Sequence, residues 1–188
     1  VATSGDTGGA VASGFLGVKG VKVVILYPSK KVSEVQEKQL TTLGQNITAL
    51  EVDGTFDDCQ AMVKNAFMDA SINDKINLTS ANSINVARWL PQMFYFAFAY
   101  KQLEDKNKKL AIAVPSGNFG NICAGMMAQQ LGLPIDHFIA ATNSNKVVTS
   151  YLETGNYIPS RSIQTISNAM DVGNPSNFVR IQQIYDND

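Results

Sequence analysis

The sequence is short of the residue types that support metal sites, disulfide frameworks and nucleic-acid surfaces. Cys59, Cys123 and the single histidine, His137, are too few for a disulfide framework or the usual structural zinc site. The 15 basic and 16 acidic side chains nearly cancel, so the basic excess typical of nucleic-acid binding is missing. The longest apolar stretch without a charge, residues 89–100, is too short to cross a bilayer and contains Pro91. We therefore expect no metal, no nucleic acid and no membrane contact.

The composition that remains is that of a folded domain. Hydrophobic residues make up 45% of the 188 positions and charged residues 16%, which favours a buried core over disorder. This length accommodates one domain, or one domain and part of a second. The sequence begins Val-Ala-Thr-Ser without a methionine, and we expect a piece of a longer protein. We expect a reducing, cytoplasmic compartment, because the cysteines form no framework.

Strand-like and helix-like segments alternate along the chain. The predicted strands are a stub at 1–3 and the runs 21–27, 46–52, 110–114 and 134–141. The predicted helices between and after them are 7–18, 34–43, 56–69, 84–102, 122–131 and 145–152. Spacings of more than ten residues require crossover connections, which predicts an α/β fold with an open, mostly parallel sheet and helices on both faces. We expect residues 1–144 to form this core, as one body or as two subdomains, and 145–188 to be a loop-rich extension.

Ligands of parallel sheets bind beyond the carboxyl ends of the strands, where two turns have an unusual composition. Residues 3–9 (TSGDTGG) and 115–121 (PSGNFGN) each join a predicted strand to a predicted helix. Their glycines permit close approach of the backbone, and the amides at a helix N-terminus attract anions. Neither turn has the Gly-Lys-Ser/Thr of a P-loop or the G-x-G-x-x-G of a dinucleotide site. Each turn alone is equally compatible with an ordinary, well-capped connection.

A third segment, residues 80–88 (SANSINVAR), lies at the expected start of the long helix. Asn82 and Ser83 would stand at its entrance, with Arg88 about one turn further on. An arginine fork beside amide and hydroxyl donors can clamp an oxyanion. The same residues also suit a capping segment followed by a solvated arginine, and the residue types alone favour that simpler interpretation.

Four segments in the same order resemble one enzyme family. They are ATSGDTGGAVA at 2–12, SANSINVAR at 80–88, PSGNFGN at 115–121 and MDVGNPSN at 170–177. Together they closely resemble the threonine synthases, which are pyridoxal-phosphate (PLP) enzymes of fold type II. The resemblance covers essentially the whole chain. It implies an internal piece of the family's polypeptide that lacks an N-terminal and a C-terminal part.

The resemblance implies roles for individual residues. The residues that it places on the cofactor, at its phosphate or beside its ring, are Gly117, Asn118, Phe119, Gly120, Asn121 and Asp6. The residues that it places on the substrate are Ser4 and Thr7 at the carboxylate, and Asn82, Ser83 and Arg88 at the phosphate. Relatives of fold type II often have asparagine where this chain has Asp6, and a carboxylate cannot donate to the cofactor's 3′-oxygen. We therefore expect a shared proton, or a protonated 3′-oxygen, if Asp6 contacts it.

The resemblance also implies an activity that this chain cannot perform alone. The family's Schiff-base lysine lies upstream of Val1, so no catalytic residue is expected within the chain, and we expect the chain by itself to be inactive. The parent protein would be a carbon–oxygen lyase acting on phosphates, which converts O-phospho-L-homoserine and water to L-threonine and phosphate. Alternatives are another lyase of fold type II, such as a serine/threonine dehydratase or a threonine-degrading homologue, and a non-catalytic anion-binding module. Neither the oligomeric state nor a role for the 170–177 segment follows from the sequence.

Overall fold

Parallel strands form the framework of the protein, for which a computed structural model describes residues 1–185. The strands are β1 (Val23–Pro28), β2 (Ile47–Val52), β3 (Ala111–Pro115) and β4 (His137–Ala141). The first two pair in one two-stranded sheet and the last two in another, with the first residues of partner strands opposite each other. The N-terminal stub adds a single parallel bridge, from Ala2 to Leu26. The predicted α/β class with parallel strands is confirmed, and its strands are divided between two sheets.

The chain separates into two compact units, each with one of the sheets. The first unit comprises Val1–Asn82 and Arg161–Gly173, and the second comprises Ser83–Ser160 and the described part of residues 174–188. The backbone therefore passes from one unit to the other after residues 82, 160 and 173. The last of these crossings divides the 170–177 segment between the units.

Helices connect the strands close to the predicted positions. Within residues 1–185 they are α1 (Asp6–Phe15), α2 (Glu34–Thr41), α3 (Phe56–Met68), α4 (Ala70–Asn73), α5 (Trp89–Lys101), α6 (Gly120–Gln130), α7 (Val147–Thr154) and α8 (Phe178–Ile184). Reciprocal capping boxes start two of them: Ser33 with Gln36 at α2, and Thr55 with Asp58 at α3. A left-handed glycine, Gly155 with φ 74°, follows the last residue of α7.

Two segments differ from the sequence prediction. The long helix does not begin at residue 84 or 85, because the Asn85 side chain caps a separate 3₁₀ turn, Val86–Arg88, before α5 starts. Pro91 is then in the first turn of α5, where no helical N–H is needed, so it causes no break. The region after residue 155 is less irregular than predicted, since it contains a 3₁₀ turn, Asn168–Met170, and α8.

The first unit has a small, mainly aliphatic core between its sheet and helices. Its buried members are Val11, Ala12, Val23, Ile25, Tyr27, Leu40 and Ile47. Ile25 on β1 is completely buried and Leu40 on α2 is 1% exposed. Since α1 begins directly after the bridge of Ala2 to Leu26, this core fixes where α1 starts relative to β1.

The second unit has a larger core that includes aromatic rings. Its buried members are Trp89, Phe96, Val114, Phe119, Ile122, Cys123, Ala124, Met126, Ile135, Val148 and Phe178. Tyr157 stacks on Phe178 with ring centroids 4.7 Å apart, which anchors α8 to the unit. Burial raises the pKa of Cys123 to about 12, so this thiol is neutral and packs as an apolar side chain. Among the described helices, none is both long and apolar enough to span a membrane.

Replacing Ile25 with alanine should lower the free energy of unfolding by about 2–5 kcal/mol, because it opens a cavity at a fully buried position. Val24 is its matched control, as the next residue of β1 has a 47% exposed side chain on the opposite face. Val24→Ala should cost less than about 1 kcal/mol. Urea denaturation of the protein that contains this sequence measures both values, and equal losses would contradict the assigned core.

Candidate functional site

The 115–121 loop leads from β3 into α6, as predicted. Ser116 anchors the start of the loop, where its N–H donates to Ala141 O at 2.8 Å and its hydroxyl donates to Val114 O at 2.9 Å. Phe119 has a left-handed backbone, φ 61°, and its ring is 4% exposed. The buried ring holds this unfavourable conformation in place immediately before the first residue of α6.

Ser83 and Asn118, which the resemblance assigns to the substrate and the cofactor, lie side by side. Asn118 Nδ2 donates to Ser83 Oγ at 3.0 Å. Gly120 makes this approach possible, because a Cβ built on it would lie only 2.6 Å from Ser83 Cβ. The third segment and the 115–121 loop therefore meet at Ser83.

The end of the 170–177 segment completes the arrangement, which we call the Asn118 cluster (Ser83, Asn118, Ser176, Asn177 and Arg180). Ser176 donates to Asn118 Oδ1 from its N–H at 2.6 Å and its hydroxyl at 3.0 Å. Asn177 is fully buried, and its Nδ2 donates to Ser83 Oγ and to Asn118 O, both at 2.9 Å. These contacts give the second half of the MDVGNPSN motif a structural role.

Arg180 holds the back of the Asn118 cluster. Its Nη1 donates to Asn177 Oδ1 and, at 3.3 Å, to Ser83 O, while its Nη2 donates to Ile84 O at 2.6 Å. Its guanidinium carbon lies 4.8 Å from the Trp89 ring centroid, and the Trp89 indole N–H also donates to Ser83 O at 2.9 Å. The arginine thus fixes the backbone on which Ser83 stands.

In the first unit, the 3–9 loop is folded around Thr3. The Thr3 hydroxyl oxygen accepts from the N–H groups of Gly5 and Gly8, at 2.9 and 2.8 Å. For the first two N–H groups of α1, on Asp6 and Thr7, the described residues provide no acceptor. These amides carry the partial positive charge of a helix N-terminus, as the prediction of an anion-binding turn requires.

Gln36 fixes the conformation of this loop and is absent from the sequence prediction. Its Nε2 donates to Asp6 Oδ1 at 2.7 Å, and its Oε1 accepts from Asn168 Nδ2 at 2.9 Å. Gly5 has φ +133°, and a Cβ there would lie 2.3 Å from the Gln36 side chain, so only glycine fits. Asp6 therefore has a defined partner in the protein, while its contact with the cofactor stays a prediction.

Asn82 and Arg88, the other two members of the predicted clamp, are placed differently. Asn82 is 5% exposed, and its amide pairs with Ala2, where Oδ1 accepts from the Ala2 N–H at 2.9 Å and Nδ2 donates to Ala2 O. It belongs to the first unit, and for the other N–H of its amide the described residues provide no acceptor. Arg88 belongs to the second unit, where it is the last residue of the 3₁₀ turn before α5.

Three residues of the site are missing from the sequence prediction, and the sequence signals for them differ. They are Asn177, Arg180 and Gln36. Asn177 closes a motif that the resemblance singled out, and Arg180 follows it by three residues, which is one helical turn. A predicted helix at the position of α8 would have placed the Asn177 and Arg180 side chains on the same side, one turn apart. Gln36 had a local signal as the third residue of a capping box, but its contact with Asp6 depends on how α1 and α2 pack.

Comparison with known proteins assigns the class. A family described as "Pyridoxal-phosphate dependent enzyme" matches residues 1–187, and the chain belongs to this family. Within it, the chain is 51% identical over 185 residues to the threonine synthase of Buchnera aphidicola subsp. Acyrthosiphon pisum. The crystal structure of threonine synthase from Escherichia coli matches with a TM-score of 0.94 and 49% identity, and PLP-bound threonine synthase from Brucella melitensis with 0.82 and 41%. The predicted fold type II class and the PLP dependence are confirmed.

The chain spans less than half of these relatives. It aligns over 98% of its own length with 43% of the Buchnera and E. coli chains, and over 99% with 40% of the Brucella chain. The activity of a whole protein that contains this sequence is accordingly a matter of proposal.

The Asn118 cluster fits a phosphate monoester, which is the group that PLP carries. A phosphate needs donors, and the cluster presents the Ser83 hydroxyl and a second Asn118 N–H, for which the described residues provide no acceptor. No carboxylate belongs to the cluster, and the neighbouring Cys123 is a neutral thiol. The N-terminus of α6, an eleven-residue helix, begins at Gly120 and adds its dipole.

Gly120→Ala should destabilise the protein by about 1–3 kcal/mol and weaken PLP binding, because the new Cβ would overlap Ser83. Gly14→Ala is the matched control, since a Cβ at this helical position meets nothing within 4 Å. It should leave PLP binding unchanged and stabilise by up to about 1 kcal/mol. Denaturation and PLP titration measure both variants, and wild-type PLP affinity in Gly120→Ala would contradict the Asn118 cluster as a phosphate site.

Proposed function

We propose that the chain is part of a threonine synthase that converts O-phospho-L-homoserine and water to L-threonine and phosphate. In this reaction a carbon–oxygen bond to phosphate breaks and a hydroxyl group from water is added to the neighbouring carbon, so the enzyme is a carbon–oxygen lyase acting on phosphates. The observation that carries the proposal is the Asn118 cluster, which offers neutral donors to a phosphate in a chain about 50% identical to threonine synthases.

The 115–121 loop and the segment that precedes α5 would hold phosphate groups. The backbone amides of Gly117, Asn118, Phe119, Gly120 and Asn121, together with the two asparagine side chains, would bind the PLP phosphate at the N-terminus of α6. When bound, PLP supplies an electron sink for negative charge that develops on substrate carbons. Ser83 and Arg88 would bind the phosphate of the substrate, where an arginine fork can make two parallel charge-assisted hydrogen bonds.

The loop that leads into α1 would hold the amino-acid part of the substrate. Ser4 and Thr7 stand at the N-terminus of α1, whose first amides can bind a carboxylate. Asp6 would lie beside the cofactor ring, oriented by Gln36. We also propose a cytoplasmic location, because the cysteines of the described residues are free thiols.

The full-length protein that contains this sequence should release phosphate and form threonine from O-phospho-L-homoserine. Serine and threonine serve as competing substrates in the same assay, because dehydratases of this fold act on them. A preference for serine or threonine would instead identify a dehydratase. The absence of PLP absorbance from the purified protein would favour a non-catalytic module.

Arg88→Ala should lower kcat/KM for O-phospho-L-homoserine about 10- to 100-fold, the range for a lost hydrogen bond to a charged group. PLP affinity should change less than about threefold, since Arg88 is proposed to contact only the substrate phosphate. Arg161→Ala, at an exposed arginine in the first unit, is the control and should change neither value. Equal losses of substrate use and PLP affinity in Arg88→Ala would contradict the proposed role.

A further inference from the structure

Two amide donors converge on one hydroxyl oxygen in the Asn118 cluster. Asn118 Nδ2 and Asn177 Nδ2 donate to Ser83 Oγ at 3.0 and 2.9 Å. A serine hydroxyl has two acceptor lone pairs and one proton. Both lone pairs are therefore engaged, and the hydroxyl can only donate to a further partner.

The orientation of both amides is fixed by groups that have no alternative. Asn118 Oδ1 accepts from the backbone N–H of Ser176, which can only donate, so its Nδ2 must face Ser83. Asn177 Nδ2 also donates to the backbone carbonyl of Asn118, which can only accept. Neither amide can flip without placing two donors, or two acceptors, against each other.

Arg180 supplies the second constraint on Asn177. Its guanidinium has donors only, and its Nη1 donates a hydrogen bond to Asn177 Oδ1. The guanidinium is itself held by two backbone carbonyls, Ser83 O and Ile84 O, and by the Trp89 ring. The positively charged Arg180 is thus connected to the Ser83 hydroxyl by hydrogen bonds through the buried Asn177 amide.

We propose that Asn177 and Arg180 are positioning residues that force the Ser83 hydroxyl to donate a hydrogen bond to a phosphate monoester bound beside Asn118. The proposal rests on the proposed function only in placing a phosphate there. Either the cofactor or the substrate can provide this group, since both carry a phosphate monoester. The Ser83 proton and the second Asn118 N–H meet no acceptor among the described residues, and both are donors, so this relay of Arg180, Asn177 and Ser83 favours an anion beside Asn118.

Asn177→Asp tests the relay with almost no change of shape. The new carboxylate keeps its contact with Arg180, which favours folding, but its other oxygen is an acceptor that faces both Ser83 Oγ and the Asn118 carbonyl, where Asn177 Nδ2 donates. The Ser83 proton then turns towards the carboxylate and away from the phosphate. Asn174→Asp is the matched control, because it adds the same charge three residues earlier, at an exposed position whose Oδ1 accepts from Tyr157.

Affinity for PLP, compared with affinity for pyridoxal, measures binding of the cofactor phosphate in the full-length apoprotein. KM for O-phospho-L-homoserine measures binding of the substrate phosphate. In Asn177→Asp, we expect one of these two phosphate-dependent values to worsen about 10- to 100-fold. Pyridoxal affinity should stay within about threefold, because pyridoxal has no phosphate. Asn174→Asp should match the wild type throughout.

A cycle with Ser83→Ala separates the relay from a general structural effect. Ser83→Ala alone should reproduce most of the loss, and adding it to Asn177→Asp should cost less than a further threefold, because the hydroxyl is already diverted. Arg180→Lys keeps the charge but loses the fork, and should give a smaller loss of the same kind. This variant also provides the measurement if Asn177→Asp fails to fold.

Two results would overturn the inference. One is an equal loss of PLP and pyridoxal affinity with no separate effect on KM, which would indicate a structural role alone. The other is wild-type phosphate dependence in all the cluster variants. A protein that makes no threonine, but loses PLP over pyridoxal selectivity in these variants, would disprove the proposed function and support the relay.

Discussion

The candidate site depends on the convergence of neutral hydrogen-bond donors on Ser83. Asn118 and Asn177 both aim an amide at its hydroxyl oxygen, and Gly120 leaves the space that lets the loop approach. The negative charge of a phosphate held in this way is offset by the helix dipole at the start of α6 and by Arg180, which acts through the Asn177 amide. Such donors are fixed by the fold before a ligand arrives, so little reorganisation is needed on binding.

The rest of the second unit supports this arrangement. The ring of Phe119 is buried in the core and holds the left-handed turn, while Tyr157 and Phe178 pack together at the start of α8. Since Asn177 and Arg180 belong to the start of α8, the packing of these rings sets the position of both polar side chains. The first unit uses the same principle on a smaller scale, where Gln36 on α2 fixes the loop that leads into α1.

The sequence predicted those features that depend on local signals. The β-branched runs located β1 and β2, and Ser33 and Thr55 marked the starts of α2 and α3. The two strand-to-helix loops were recognisable from their glycines and amides. The division of the strands into two sheets was not decided by these signals, because nothing local distinguishes a crossover within one sheet from a passage between units.

The missing parts of the site involve contacts between distant segments. Ser83 meets Asn177 across 94 positions and Asp6 meets Gln36 across 30, and no periodicity encodes such pairs. The resemblance pointed to the 170–177 segment but gave it no chemistry, since its role lies in donors directed at another loop. Asn82 illustrates the opposite case, because a residue predicted to bind substrate uses most of its amide to hold the Ala2 backbone.

A high-resolution crystal structure of the full-length protein with PLP tests the account most directly. We predict a phosphate oxygen, of the cofactor or of a bound substrate analogue, within about 2.5–3.0 Å of Ser83 Oγ, with both amides still donating to that hydroxyl. It would be contradicted by a structure in which no phosphate oxygen reaches Ser83 and its proton is donated to a protein acceptor.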